Sequence, residues 1–576
     1  MANITAPEYI SPYVVTTSGG LVLDRDVYTM PVGAASILQN FEPSVQGGYR
    51  RLSGTSRFSS SQVGGSSSTI LGVAVFNNGV VAAQSTNVYF GTGSSWTSID
   101  SGRTSAGRYR FEKYNFSTNE ERLIFADGAN FASVYNGTTV MDIKGATTIS
   151  TTGSASNSST SLSVSSAAGI MEGMYIGGTN IGSGAKVSSI SGTTVTMSVA
   201  TTGTISSGSV TFAGLGTAPS DPSMVTAFKN HMFYAGMSAE PNTIVFSAIG
   251  DENDFTASNG AGSLNVDSTI IALKSFRGEL IIFCEDRIYK LAGNALADFA
   301  IAPISRNVGC SDAFSIQEIG GDVIFLAPDG LRTIAGTARI GDVELGTVSK
   351  QIQARISDIG FTNISSVVIR DKSQYRLFYP SGGLESAEKG IIGVLKSNPS
   401  GQIGWEYSDI RGIKPSCCDS GFISGVEKVI HGGFDGYVYL QESGNTFNGT
   451  AMKAIYRSPD LTMGDAGIRK NMQRINVNYD PEGSVNASLF VKYDFEDAGT
   501  PQPSAYTLST ADTAAVYDNS GTLYDSAVYD AEGMPIVRQS VEGSGFTVVI
   551  RLEDESSNPP ITLKGFELEF TPGARM

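Results

Sequence analysis

Along most of the chain, apolar runs of four to seven residues alternate with short clusters of Gly, Asn, Asp and Ser, the pattern of strands joined by tight turns. One clear unit is Ile70–Phe76, the turn Asn77-Asn78-Gly79, Val80–Gln84, the turn Ser85-Thr86-Asn87 and Val88–Thr92, with Trp96 opening a fourth run. Asn-Gly supplies the positive φ angles that a tight hairpin needs. Similar units recur at Tyr109–Gly137, Met224–Gly250, Ile270–Gly293, Ser315–Gly336, Ser366–Lys396 and Gly421–Gln441, giving seven candidate blades, plus or minus one. In the unit at Ile270–Gly293, Arg277-Gly278 and Glu285-Asp286 sit where hairpin turns are required. Repeated four-stranded meanders close radially into a propeller, which leaves only short strand edges. A stack of β-sandwiches is the competing arrangement, but it would need recurrent linkers, and none is seen between residues 220 and 440.

Three regions depart from this rhythm. Residues 149–213 are rich in Ser, Thr and Gly, as a flexible linker would be, yet LSVSS, MYIGG, KVSSI and TVTMSV alternate with period two. They are read as a small β-module inserted between propeller segments 61–148 and 214–445. Residues 446–576 are strand-like but acidic: from Asn448 onward they hold 18 Asp plus Glu against 10 Lys plus Arg. A separate C-terminal β-sandwich is expected there, with the Tyr-Asp pairs at Tyr517, Tyr524 and Tyr529 on an exposed hairpin or loop. Residues 1–60 are read as an extended docking segment. The fold class is thus all-β: a β-propeller of about six to eight blades, an inserted module and a C-terminal sandwich.

Composition narrows the function. The 576 residues are 40% hydrophobic but only 16% charged, with 67 Gly, which suits strands and turns better than helices. A net charge of -16 argues against a protein that grips phosphates through counterion release, while remaining compatible with one that surrounds DNA without holding it. The N-terminus MANITAPEYI has neither a basic nor an apolar leader region, so a soluble chain, unexported by the usual signal, is expected. Cys284, Cys310, Cys417 and Cys418 match no disulfide framework or zinc spacing and are read as buried, reduced thiols.

Catalytic chemistry is sparsely represented. His231 and His431 are the only histidines, and both are read as structural. The sequence has no nucleophile elbow, P-loop, H-E-x-x-H or EF-hand loop. The acidic turn Asp251-Glu252-Asn253-Asp254 is read as solvated rather than cation-binding. Ser98–Thr104 resembles the Asp-box turn of sialidases, but it appears once and lacks the expected aromatic residue. No catalytic residue, metal ligand or cofactor is therefore expected.

The stretch Pro31–Phe58 changes the picture. Its Ala35, Leu38, Asn40, Phe41 and Pro43, followed by Gly47 and Arg50-Arg51, resemble the opening segment of the nozzle, or tail tubular B, and DNA-stabilisation proteins of short-tailed bacteriophages. The unit Ile270–Gly293 looks like a blade of the same proteins, and Gly169–Ser198 is similar to small β-modules inserted in phage tail and head proteins. The resemblance implies a virion protein, assembled in the host cytoplasm, that forms a ring of six copies beneath a tail adaptor. The ring would conduct and gate duplex DNA without reading its sequence, touch the host envelope transiently and support tail fibres. No gate residue can be assigned. Arg50, Arg51 and Arg57 form a compact basic group, read as a contact to a neighbouring subunit or the adaptor, or else as a solvated turn. The alternative function is a receptor-binding or baseplate propeller recognising a host surface glycan; a glycosidase is a third reading.

Overall fold

The two-residue turns set the geometry of the meanders. Asn77-Asn78 (φ 46° and 56°), Lys229-Asn230 (51° and 60°), Arg277-Gly278 (49° and 78°) and Ser424-Gly425 (51° and 78°) are left-handed pairs. Such turns carry the twist that flanking strands require, so each hairpin enters its sheet in register. A computed structural model describes residues 11–26, 28–105, 107–116, 121–335, 347–360, 363–380, 389–397, 403–510 and 536–575. The Tyr-Asp run at Tyr517, Tyr524 and Tyr529 lies outside the described residues, as does Gly336.

The chain folds as two compact units, one comprising residues 71–92 and 96–313, the other residues 1–70, 93–95 and 314–576. The first is built on four-stranded antiparallel meanders, among them Arg110–Tyr114 to Val140–Asp142, Met224–Phe228 to Gly262–Asn265 and Ile270–Phe276 to Ala300–Ser305. Their opening strands, Arg110–Tyr114, Met224–Phe228 and Ile270–Phe276, lie side by side. In the second unit the opening strands Gln317–Ile319, Ser365–Ile369 and Cys417–Ile423 do the same. Meanders whose inner strands neighbour one another are propeller blades, and the protein is an all-β propeller protein.

The last blade borrows a strand. Cys417–Ile423, Val426–Gly432 and Val438–Gln441 are joined by Thr55–Arg57, with Thr55 opposite Gln441 and Arg57 opposite Tyr439. The preceding blade does not end at its fourth strand, Ile403–Arg411. Its sheet continues through Ile37–Gln39 into Ala454–Arg457, Val548–Asp554, Val485–Tyr493 and Tyr506–Thr510, nine strands in all. A second sheet centres on Ile561–Arg575, flanked by Ile468–Pro481 on one side and by Ser11–Thr16 and Tyr49–Arg51 on the other.

One apolar core therefore runs from Val15, Phe41 and Tyr49 through Ile324, Tyr375 and Tyr407 to Tyr456, Leu489 and Leu568. The C-terminal strands thus lie in two sheets around one core, as in a sandwich, and this pair is continuous with blade strands rather than standing apart. In the N-terminal docking segment Ser11–Thr16, Ile37–Gln39, Tyr49–Arg51 and Thr55–Arg57 are each paired in a sheet. Alternation fixes which face of a strand is buried, whereas its partner is set by packing that can join residues hundreds of positions apart.

Residues 149–212 form the six-stranded sheet of the inserted module, with its own core of Leu162, Met174, Ile176, Val195, Val210 and Phe212. A two-stranded ribbon, Gly145–Ala146 against Gly216–Thr217, closes its base. At the ribbon Gly216 has φ 76° and a Cβ there would lie 2.6 Å from the Phe255 carbonyl oxygen, so only glycine fits.

Candidate functional site

The residues that carry the phage resemblance are buried fasteners. Asn40 takes φ 54° between the strands Ile37–Gln39 and Phe41–Pro43. Its amide accepts the Arg411 N–H at 2.8 Å and donates to the Lys453 carbonyl at 2.8 Å. One side chain thereby ties blade strand Ile403–Arg411 to Lys453, the residue before C-terminal strand Ala454–Arg457. Leu38 and Phe41 are fully buried beside it.

Arg51 is also fully buried. It donates to the Asn558 carbonyl at 2.7 Å and the Ser556 carbonyl at 2.5 Å, and lies 3.5 Å from the Asp554 carboxylate. Burial lowers its pKa, with Asp554 opposing that shift. Arg50 forks onto Glu482 at 2.6 and 2.8 Å and reaches Glu42 at 3.2 Å. Although burial opposes its charge, Glu482, Glu42 and Glu442 raise its pKa. The carboxylate and carbonyl partners of Arg50 and Arg51 belong to the same chain. Arg57 differs, being exposed with its guanidinium 3.9 Å above the Tyr437 ring.

Glu42 anchors a wider network. It accepts from Lys372 at 2.7 Å, Gln374 at 2.9 Å and the buried Arg376 at 3.2 Å. Glu442 accepts from the same Lys372 and Arg376 at 2.5 Å each. Burial would raise the Glu442 pKa, but Arg376 and Lys372 prevail and depress it to about 2. These charges join blade strand Gln374–Tyr379, the strand Phe41–Pro43 and the turn after Val438–Gln441.

The other singled-out residues are structural. His231 is fully buried, with Nδ1 2.6 Å from the Ser247 carbonyl and Phe233, Phe246 and Phe299 packed around its ring. His431 is buried, stacks on Tyr439 with ring centres 5.1 Å apart, and is driven by burial to a pKa of about 3. All four cysteines are free thiols, and burial pushes Cys284 up to about 12. In the Asp-box-like turn, Arg103 is buried and donates to Asp100 at 3.0 Å and Asp127 at 3.1 Å, locking the turn against the next meander. Among the described residues no group of His, Cys, Asp and Glu is placed to hold a metal ion.

One concavity combines many polar groups. Within the unit of residues 71–92 and 96–313, a cleft of about 350 Å³ lies between the inserted module and two meanders. Tyr114 and Arg122 come from one meander, Glu172 from the module, and Asp251, Glu252 and Asn253 from the turn after Thr243–Phe246. Arg122 pairs with Glu252 at 2.8 Å and Lys186 of the module with Asp251 at 3.2 Å. Sequence reading treated Asp251–Asp254 as a solvated turn, yet Glu252, Asn253 and Asp254 are buried. No spacing signal could have joined residues so far apart in the chain.

No protein-family profile and no curated protein matches the chain. Among solved structures, the computationally designed Ika8 protein overlaps 66% of this chain and 98% of its own at 14% identity, with a TM-score of 0.31. Sqt1 of Saccharomyces cerevisiae overlaps 67% and 98% at 12% identity, also with a TM-score of 0.31. Hsv2 of Kluyveromyces lactis overlaps 59% and 97% at 8% identity, with a TM-score of 0.27. These likenesses add no argument to the strand topology.

Proposed function

We propose that the chain is a structural, non-enzymatic virion protein forming the nozzle ring at the end of a short phage tail, conducting and gating genomic DNA during ejection. The observation that carries this reading is the role of the Pro31–Phe58 stretch. The residues by which it resembles nozzle proteins, Leu38, Asn40, Phe41 and Arg51 among them, tie N-terminal, blade and C-terminal strands into one unit. A subunit braced in this way suits a part that must hold its shape while DNA passes. The net charge of -16 favours sliding over adhesion of a duplex.

In this reading six copies join head to tail below a tail adaptor ring, since heterologous contacts close into rings when their rotation permits. Tail fibres and the host envelope are the further partners, and the exposed Arg57 is the member of the basic group left for an intermolecular contact. Electron microscopy of the purified protein, alone and with its adaptor, tests the proposal. A closed ring with a lumen wide enough for duplex DNA is the expected result. Persistent monomers or trimers in both samples would overturn it and favour a receptor-binding propeller.

A further inference from the structure

The cleft between the inserted module and the meanders has the properties of a ligand site. Its volume of about 350 Å³ falls within the range of small-molecule pockets. Its walls are fixed independently of any ligand: the Tyr234 hydroxyl donates to the Glu252 carbonyl at 2.7 Å, and the Gly145 N–H donates to Asn253 Oδ1 at 3.2 Å. That second bond orients the Asn253 amide and leaves its Nδ2 without a partner, although the residue is only 2% exposed. The Tyr114 hydroxyl, on a residue 5% exposed, lies between the Glu252 carboxylate and Arg122. A buried donor left unmade costs about 1–3 kcal/mol, so the Asn253 amide calls for an occupant.

The lining specifies the chemistry of that occupant. Three carboxylates, Glu172, Asp251 and Glu252, line it with one cation, Arg122, while Lys186 beside it pairs with Asp251, which disfavours an anion. Donors and acceptors are interleaved, and Tyr114 with Phe116, ring centres 4.7 Å apart, supplies an apolar face. A neutral polyol with C–H faces and alternating hydroxyls satisfies all three features. We infer that this cleft binds a neutral pyranose of a surface glycan, with Tyr114, Asn253 and Arg122 as donors and Glu172 as an acceptor.

The site binds rather than cleaves. Burial, with Glu252 nearby, raises the Tyr114 pKa far above its usual value, so the phenol keeps its proton and is a poor nucleophile. Glu252 is engaged by Arg122. The inference does not rest on the nozzle reading, because a glycan site can exist on a ring or on a monomer.

Saturation-transfer NMR on the full chain tests it, with glucose, galactose, mannose and N-acetylglucosamine as probes and sialic acid and inorganic phosphate as anionic counter-probes. At least one neutral sugar is expected to receive saturation, with affinity falling about tenfold in both Tyr114→Phe and Glu172→Gln. Glu172 is exposed, so Glu172→Gln keeps the test intact if Tyr114→Phe perturbs folding. No transfer to any neutral sugar, binding of the anions alone, or unchanged affinity in a folded Glu172→Gln protein would overturn the inference. Ring formation, read separately by microscopy, distinguishes its failure from that of the nozzle proposal.

Discussion

Two adjacent arginines, Arg50 and Arg51, have different energetic roles. Removing Arg51 leaves the Asp554 carboxylate, which is 1% exposed, held by Ser556 without that counter-charge, and deprives two carbonyls of their donor. An uncompensated buried charge costs about 3–5 kcal/mol, so Arg51→Ala is expected to lower the thermal midpoint sharply or prevent folding. Glu482 is by contrast 43% exposed. Arg50→Ala should cost about 1 kcal/mol in the same melting experiment, because Glu42 retains Lys372 and Arg376. His431 sets a pH limit. Its folded pKa is about 3, below the usual 6.5. As pH falls through 6.5 the unfolded chain takes up the proton first, so stability declines steadily towards pH 3. Urea midpoints measured from pH 7 to 4 should show this decline, and His431→Phe, which preserves stacking on Tyr439, should flatten it.

At the level of elements, the borrowed strand offers a direct test. Ser56 Oγ and Ser443 Oγ are 2.7 Å apart. Ser56→Cys with Ser443→Cys should form a disulfide on mild oxidation, detected by a mobility shift and by a midpoint raised by a few kcal/mol equivalent. Absence of the bridge would place Thr55–Arg57 elsewhere. The hairpins themselves were legible in the sequence because Asn77-Asn78-Gly79 and Arg277-Gly278 encode their turns locally. The union of Ile37–Gln39 with Ala454–Arg457 was not, because three residues carry no record of a partner so distant. The cleft was illegible for the same reason: Tyr114, Glu172 and Asn253 meet only through the fold, and the acidic turn looked like many solvated ones. Arg51 announced a charge, but not that the charge is buried.

For the whole molecule, the excess of 55 acidic over 39 basic side chains predicts behaviour towards nucleic acid. Duplex DNA should not be retained by the purified protein in gel-shift assays from low to physiological salt, where a basic protein would show strong, salt-dependent binding. Retention at low salt that fades with added salt would reveal a local basic track and contradict the sliding surface proposed above.

The strand Thr55–Arg57 also imposes an order on synthesis. Ser56 leaves the ribosome long before Ser443, 387 residues later. At about 5–20 residues per second, this strand waits on the order of 20–80 s for its sheet. Throughout that interval its backbone lacks native partners and its apolar neighbours Leu38, Phe41 and Leu52 lack their core. Nascent chains are thus most vulnerable to misassociation before the last blade emerges, and slowing translation should lower the soluble yield.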